Sequence, residues 1–489
     1  MTSPETLRDT LLIAGDWVGS SDGSTFPVMN PATWSSVASV ADATAADAHR
    51  AIEAAAAGLA TWRTTTGRER WAILERAARL MEERHEQLSV ILTSETGKPI
   101  VEARAEIAST VRFFQWYSHE ALRISGEYWP AVARDRDAVV VKEPIGVVVA
   151  ITPWNFPSFM VACKVAPALA AGCSVVLKPA EQTPLSALAI AEILTEAGLP
   201  AGVLNVITAS DARRVSEALL TSRDVECISF TGSREVGTLI LKAAADGIKR
   251  VLLELGGNAP AVVLDDADID LAVRSLLRAR FANTGQACVA VNRIYVTEGV
   301  ADEFISKFSL AAAGLRIGAA MDEGTQLGPL IDAAAFERIG DQVQAAIADG
   351  GRVVAGGGPV PGGGATYFQP TVIDLGLDES AVTRQEIFGP VALIQRCENE
   401  QDAVRRANDT EYGLSAYVFT RDQRIGMSVA RRLVAGSVAI NGALSSETQL
   451  PFGGMRTSGL GRERGRAGIE EFLELKTIHV IDEEGVAQR

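Results

Sequence analysis

The sequence predicts an α/β protein of the doubly wound class, and three observations carry that expectation. From Ala138 to Asp265, nearly continuous β-branched runs alternate with helical stretches, the pattern of a parallel sheet buried on both faces. Turns bearing glycine or proline close those runs, in ITPWNFP, LKPAEQTP, FTGSREVG and LELGGNAP, which is where open parallel sheets hold ligands. At 489 residues, 47% hydrophobic and 22% charged, the chain is long enough for two or three domains with separate cores.

The bulk properties narrow the partners. A net charge of -15 and a pI near 5.0 oppose a sequence-independent hold on nucleic acid or on an anionic membrane surface. The start, MTSPETLRDT, has neither a basic region nor a long apolar segment, and no later apolar run approaches the roughly 18 residues of a membrane span. The expectation is a cytoplasmic protein with small-molecule partners, binding neither nucleic acid nor membrane. Cys163, Cys173, Cys227, Cys288 and Cys397 are scattered without a C-x-x-C pair, so reduced thiols are expected. His49, His85, His119 and His479 fall at no ligand spacing and no G-x-S-x-G turn occurs, so neither a metal site nor a serine triad is expected.

Taken in order, LLIAGDWVGS at 11–20 and residues 24–40 read as short strands and turns. A long helical stretch then runs from Ala45 to Ala121, broken by ETGKP at 95–99. Within it Ile73, Leu74, Ala77, Leu80 and Met81 share a face, and a later helix over 101–124 carries Phe113, Phe114, Trp116 and Tyr117. Such aromatics are core, or walls of a substrate channel. Beyond Asp265 a second α/β region carries Cys288 near the end of a helix, followed by the strand NRIYVTEG. Residues 355–368, VAGGGPVPGGGATYF in context, read as a solvated loop. The tail FLELKTIHVI at 472–481 alternates like a strand; with little chain left beside it, pairing with another subunit is expected.

Several motifs carry chemistry. In FANTGQACVA at 281–290, Cys288 follows a glycine and two amide side chains; it reads as a nucleophile or as a small buried hydrophobe. FTGSREVG opens a helix after a strand, so Gly232 admits backbone to a phosphate while Ser233 and the helix N-terminus supply donors; a plain capping turn is the alternative. Lys178 and Glu181 in KPAE suit a ribose, or pair with each other at the surface. Glu254 ends a strand beside Gly256 and Gly257, as a general base with a pKa lifted by desolvation or as a salt-bridging residue. Pro153 and Pro157 fix the backbone around Asn155, whose amide suits an oxyanion or a structural turn.

PWNFP, LKPAEQTP, FTGS, LELGGNAP, NTGQAC, EIFGP and PFGGMRTSGLGRE, in this order and spread over residues 152–463, resemble the aldehyde dehydrogenase superfamily. The resemblance implies a Rossmann-type NAD-binding domain over 1–125 and 145–255, an α/β catalytic domain over 256–445, and small β oligomerisation segments at 126–144 and 470–489, in a homodimer or homotetramer. It implies Cys288 as nucleophile, Glu254 as general base, and Asn155 with the Cys288 backbone N–H as oxyanion hole. For the cofactor it implies Lys178, Pro179, Ala180 and Glu181 at the adenine ribose, Gly232 and Ser233 near the diphosphate, and Glu386 with Phe388 at the nicotinamide ribose. Thr152, Pro153, Trp154, Leu255 and Gly256 complete that lining. Glu181 accepts hydrogen bonds from the ribose hydroxyls of NAD and repels the 2′-phosphate of NADP, so NAD is expected.

The motifs look closest to succinate-semialdehyde dehydrogenases. That subfamily holds the far carboxylate with arginines at the positions that read Cys163 and Ala282 here. Without them the expected substrate is a bulky uncharged aldehyde, aromatic or medium-chain, in a wide pocket of Phe113, Trp116, Tyr117, Phe159, Met160, Cys163 and Ala282. The alternative is succinate semialdehyde. A non-catalytic binding protein of the same fold would lack Cys288 or Glu254, and an acylating coenzyme-A-dependent enzyme would typically lack Glu254. Ala290, where relatives often carry a second cysteine, implies no disulfide switch beside Cys288.

Overall fold

The computed structural model describes residues 7–377, 380–444 and 447–481. The first six and last eight residues, parts of the expected NAD-binding and oligomerisation segments, lie outside the described residues, as do residues 378, 379 and 445 of the expected catalytic domain.

The first sheet has eight strands in the spatial order Gly459–Leu460, Arg250–Glu254, Val225–Thr231, Val147–Ile151, Ser174–Lys178, Leu204–Val206, Leu11–Ile13, Asp16–Val18. Its five central strands, from Arg250–Glu254 to Leu204–Val206, are parallel. The chain lays strands to one side of Val147–Ile151 and then returns to the other side for Val225–Thr231, so the strand order reverses between these two. Register sets Ile151 beside Lys178 and Phe230, and Thr231 beside Glu254. The ligand-type turns of the sequence therefore open along one edge, at the reversal point.

Both faces of this sheet are covered. Val148 and Ala150 pack into a core with Leu74, Phe113, Phe114 and Leu169, while Val147 and Val149 pack into another with Ile52, Val215 and Ile240. Alternation along a strand delivers apolar side chains to two helical layers, which is why these strands read as unbroken hydrophobic runs. Every residue of the helix Pro157–Ala171 is buried. The expected helical stretch resolves into Ala45–Trp62, Gly67–Glu83, His85–Thr96 and Ile100–Ala121. Capping boxes at Thr44 and Thr66 start the first two, and Gly97 at φ 71° ends the third ahead of Pro99.

The second sheet has seven strands, ordered Arg352–Ala355, Thr371–Asp374, Val391–Cys397, Val291–Thr297, Ala259–Val263, Ser415–Phe419, Ser437–Ile440. A third sheet joins Leu473–Ile481, Arg136–Pro144 and Glu127–Ala133. The tail strand, for which the sequence offered no partner in its own chain, has one: it pairs from Leu473 opposite Pro144 to Ile481 opposite Arg136 and forms the edge of this sheet, with its other side unpaired among the described residues. Sequence distance hid that partner, because antiparallel pairing over hundreds of residues leaves no local signal. Among the described residues no helix is long and apolar enough to cross a membrane.

The chain passes between the two large sheets over Leu255–Asn258. Gly257 N–H donates to Glu386 Oε1 at 2.9 Å, Asn258 Nδ2 donates to the Thr383 carbonyl at 2.8 Å, and a Cβ on Gly257 would overlap the Cys288 carbonyl oxygen. Backbone cannot yield as a side chain does. Gly257→Ala is expected to lower stability by about 1–3 kcal/mol and kcat by roughly 10-fold or more, read by thermal melting and steady-state kinetics.

Candidate active site

The helix Ile269–Phe281 stops earlier than the sequence suggests, and Cys288 lies in a turn seven residues beyond it rather than at its end. Asn283 (φ 50°), Thr284 (φ 56°) and Gly285 (φ 73°) are successively left-handed, a conformation L-residues adopt only when their surroundings hold them. Those surroundings are specific. Buried Arg280 donates to the carbonyls of Gly285 and Gly389 at 2.7 Å, Asn283 N–H donates to Glu102 Oε2 at 2.8 Å, and Ile331 N–H donates to Gln286 Oε1 at 3.0 Å.

Asn155 belongs to the same frame. Its Nδ2 donates to the Gln286 carbonyl at 2.9 Å, while its own carbonyl accepts from Lys98 Nζ and Asn283 Nδ2, each at 2.9 Å. Lys98 is buried, pairs with Glu106, and stands 3.8 Å from the centroid of the Phe156 ring. Glu106 accepts in turn from the Ser158 and Phe159 N–H groups at 3.1 Å. Neither Lys98 nor Glu106 stood out in the sequence, because an ordinary Lys and Glu near a surface helix give no sign of burial.

Glu254 is buried with no hydrogen-bond partner on either carboxylate oxygen. Burial, and then the nearby Glu463 carboxylate, push its pKa well above the usual carboxylate range, against Lys164, Arg464 and Arg462. Glu463 itself accepts from buried Lys164 at 2.6 Å. Cys288 is partly exposed, yet desolvation, then the charges of Glu386 and Glu254, push its thiol up to about 12. The resting thiol is therefore neutral, and the thiolate that acts as nucleophile must be formed by a base in the site.

The strand ends offer a dinucleotide cradle. Lys178 is buried, its ammonium depressed by desolvation, 3.6 Å from Glu181, whose side chain is 41% exposed. Ser233 caps the helix Arg234–Ala245, accepting from Val236 N–H at 3.3 Å, and Gly232 N–H donates to the Glu254 carbonyl at 3.0 Å. Glu386, pushed up to about 7 by burial, touches Gly256, where any Cβ would meet its Oε2 at 2.5 Å. Trp154 meets Phe388 edge-on with centroids 5.5 Å apart. Leu255 is anchored through its N–H on the Ser458 carbonyl at 2.9 Å, and Thr152 is buried with an unpartnered hydroxyl. Pro153, Pro179 and Ala180 line the same strand ends. Backbone kept open by glycine, a helix N-terminus and a buried ammonium fit a dinucleotide.

Of the expected pocket residues, Phe113, Tyr117, Phe159, Met160 and Cys163 are buried in one core, with the Phe113 and Phe159 centroids 5.0 Å apart. Trp116 is only partly buried at the margin of that core, and Ala282 opens the left-handed turn. The residue that sequence reasoning missed is Arg464. It is 8% exposed, its guanidinium stands 5.0 Å from the Phe159 centroid and 4.0 Å from that of Phe452, and its charge acts on the Cys163 thiol. Its backbone, at φ 66° and ψ 168°, occupies a region that is nearly glycine-only and costs about 1–3 kcal/mol. A second arginine in GRERG, two residues after the first, was the available signal.

A parallel sheet with a dinucleotide cradle, facing a cysteine backed by an amide and a buried carboxyl, defines the class: a cysteine-dependent oxidoreductase linked to a nicotinamide dinucleotide. The chain belongs to the aldehyde dehydrogenase family, whose profile matches residues 17–478, and it is an oxidoreductase acting on aldehydes. It is 44% identical to a glutarate-semialdehyde dehydrogenase of Pseudomonas putida, covering 96% of this chain and 97% of that one. It is likewise 44% identical to a 3-sulfolactaldehyde dehydrogenase of Pseudomonas putida (98% of each) and to an NADP(+) succinate-semialdehyde dehydrogenase of Escherichia coli (96% and 97%). Among solved structures, a succinate-semialdehyde dehydrogenase from Burkholderia pseudomallei superposes with a TM-score of 0.95 at 43% identity, over 98% and 99% of the two chains.

Two outcomes follow from this geometry. Because burial raises both Glu254 and Cys288, each is protonated at low pH and gains its reactive form as pH rises, so kcat/KM should still be climbing with pH above the usual carboxylate range. Glu254→Gln should lower it about 100-fold or more and remove the carboxyl ionisation from that profile. Lys98→Met strands the Glu106 carboxylate in the interior and should cost about 3–5 kcal/mol of stability, measured by denaturant unfolding.

Proposed function

We propose that this protein oxidises a short aldehyde bearing a terminal anionic group to the corresponding acid, with NAD as hydride acceptor. One observation carries the substrate class: relatives at 44% identity over nearly the whole chain are named for glutarate semialdehyde, succinate semialdehyde and 3-sulfolactaldehyde, all aldehydes ending in a carboxylate or sulfonate. This favours the alternative reading over the bulky uncharged aldehyde expected from Cys163 and Ala282. That expectation took two small side chains as a wall without cations, whereas the Arg464 guanidinium stacks on Phe159, one turn before Cys163 on the same helix.

In this reading Glu254 takes the Cys288 proton and releases it to solvent, and the thiolate adds to the aldehyde carbon. The Asn155 amide and the Cys288 backbone N–H stabilise the oxygen that becomes anionic. Thr152, Trp154, Lys178, Glu181, Gly232, Ser233, Leu255 and Glu386 would hold NAD, which would supply the hydride acceptor. Glu254 then takes a proton from water, whose oxygen attacks the thioester carbon, releasing the acid and the free thiol. Aldehyde, NAD and water give acid, NADH and a proton. Glu254 makes coenzyme A unnecessary, since water is the acyl acceptor. The exposed Tyr128, Trp129, Leu475, Ile478 and Val480 on the third sheet support its reading as a contact between subunits of a homodimer or homotetramer.

NAD is favoured over NADP because the Glu181 carboxylate, beside Lys178, would face a 2′-phosphate of like charge. The test is NADH release, without coenzyme A, from succinate semialdehyde, glutarate semialdehyde, hexanal and benzaldehyde. The anionic pair should exceed the neutral pair in kcat/KM by about 10-fold or more, and the reverse order would restore the bulky neutral substrate. Glu181→Ser should raise kcat/KM with NADP about 10-fold relative to NAD; equal use of both by the unaltered enzyme would refute the cofactor assignment.

A further inference from the structure

We infer that Arg464 is the specificity-determining residue that binds the substrate's terminal anion, its guanidinium reaching the site from the loop after Gly459–Leu460. This rests on the proposed anionic substrate and names the group that selects it.

Three features of the residue point to a ligand. First, its hydrogen-bonding capacity is unspent. A guanidinium carries five N–H donors; among the described residues Arg464 forms no ion pair, its Nε has no partner, and the Cys163 thiol is a weak acceptor. The neighbouring carboxylates do not fill the gap, because Glu463 is engaged by Lys164 at 2.6 Å and both Glu254 oxygens stay unpartnered. A buried cation short of hydrogen bonds is costly unless an anion joins it.

Second, the group is aimed. The rings of Phe159 and Phe452, at 5.0 and 4.0 Å, fix the guanidinium by stacking while leaving its N–H edges free for a bidentate partner. Tyr117 Oη donates to the Gly465 carbonyl at 3.2 Å, tying down the next residue. Phe159 and Cys163 lie one turn apart on the helix Pro157–Ala171, roughly 3 and 9 Å along its axis from Pro157 at about 1.5 Å per residue. Asn155, the candidate oxyanion donor, stands two residues before that helix. An aldehyde oxygen at Asn155 and an anion over Phe159 and Cys163 are therefore separated by the span of a short carbon chain.

Third, the backbone is held where glycine belongs, at φ 66° and ψ 168°. A residue that is conformationally strained and also buries an under-bonded charge gains nothing for the fold at either count, and such outliers gather at ligand clamps.

The experiment compares succinate and glutarate semialdehyde with butanal and pentanal as neutral counterparts. Arg464→Gln should raise KM for the two anionic aldehydes about 10- to 100-fold, change kcat less than about threefold, and leave kcat/KM for the neutral aldehydes within about threefold. Arg464→Lys should recover part of the anionic preference. Arg464→Gly should lose the preference while its melting temperature holds or rises, since glycine adopts this backbone freely; this separates recognition from misfolding. Equal losses on anionic and neutral aldehydes would assign Arg464 to nucleophile or base chemistry and overturn the inference. An unchanged KM for the anions in Arg464→Gln, with the unaltered enzyme still preferring them, would overturn it while leaving the proposed function intact. An unaltered enzyme with no anionic preference would overturn both.

Discussion

The site depends on one buried ion pair, Lys98 with Glu106. Lys98 holds the Asn155 carbonyl, and Glu106 receives the N–H groups that open the helix Pro157–Ala171. Asn155 donates across the sheet boundary to the Gln286 carbonyl, so the candidate oxyanion donor and the turn carrying Cys288 are one unit. Neither ion could be buried alone without a penalty of several kcal/mol. Their mutual satisfaction lets polar machinery sit in an otherwise apolar interior.

Around that frame the charges are arranged by inequality of bonding. Lys164 and Glu463 satisfy each other, whereas Glu254 has no partner and is driven toward its neutral form. Arg464 stands on the same side as an under-bonded cation. Groups that complete their bonds within the protein build the scaffold. Those that do not are available to substrate and water, which is why the incomplete members of this cluster carry the chemical interest.

The two sheets divide the work by the same logic. The first presents turns from four parallel strands at a reversal of strand order, making backbone donors and Lys178 available to a dinucleotide. The second contributes Glu386, bonded to the Gly257 N–H, and the strained turn of Cys288. Close approach of Gly257 to the Cys288 carbonyl leaves no slack between the two.

Much of this was legible from sequence. Unbroken β-branched runs separated by helices specify a parallel sheet because both faces must be apolar; Asn155 and Cys288 lie in short turns, and Glu254 ends a strand before two glycines, where the composition marks them. The break at ETGKP was readable because Gly97 and Pro99 end a helix by local sterics. What sequence could not tell was which distant segments meet: the tail strand found residues 136–144 of its own chain, and Lys98 and Glu106 proved buried. Arg464 is the sharpest case. Local patterning fixes periodicity and turn chemistry, but burial, pairing and the direction of a long flexible side chain arise from contacts across hundreds of residues. Only the folded chain therefore decided that a cation stands beside Cys163, where the local sequence had suggested an apolar wall.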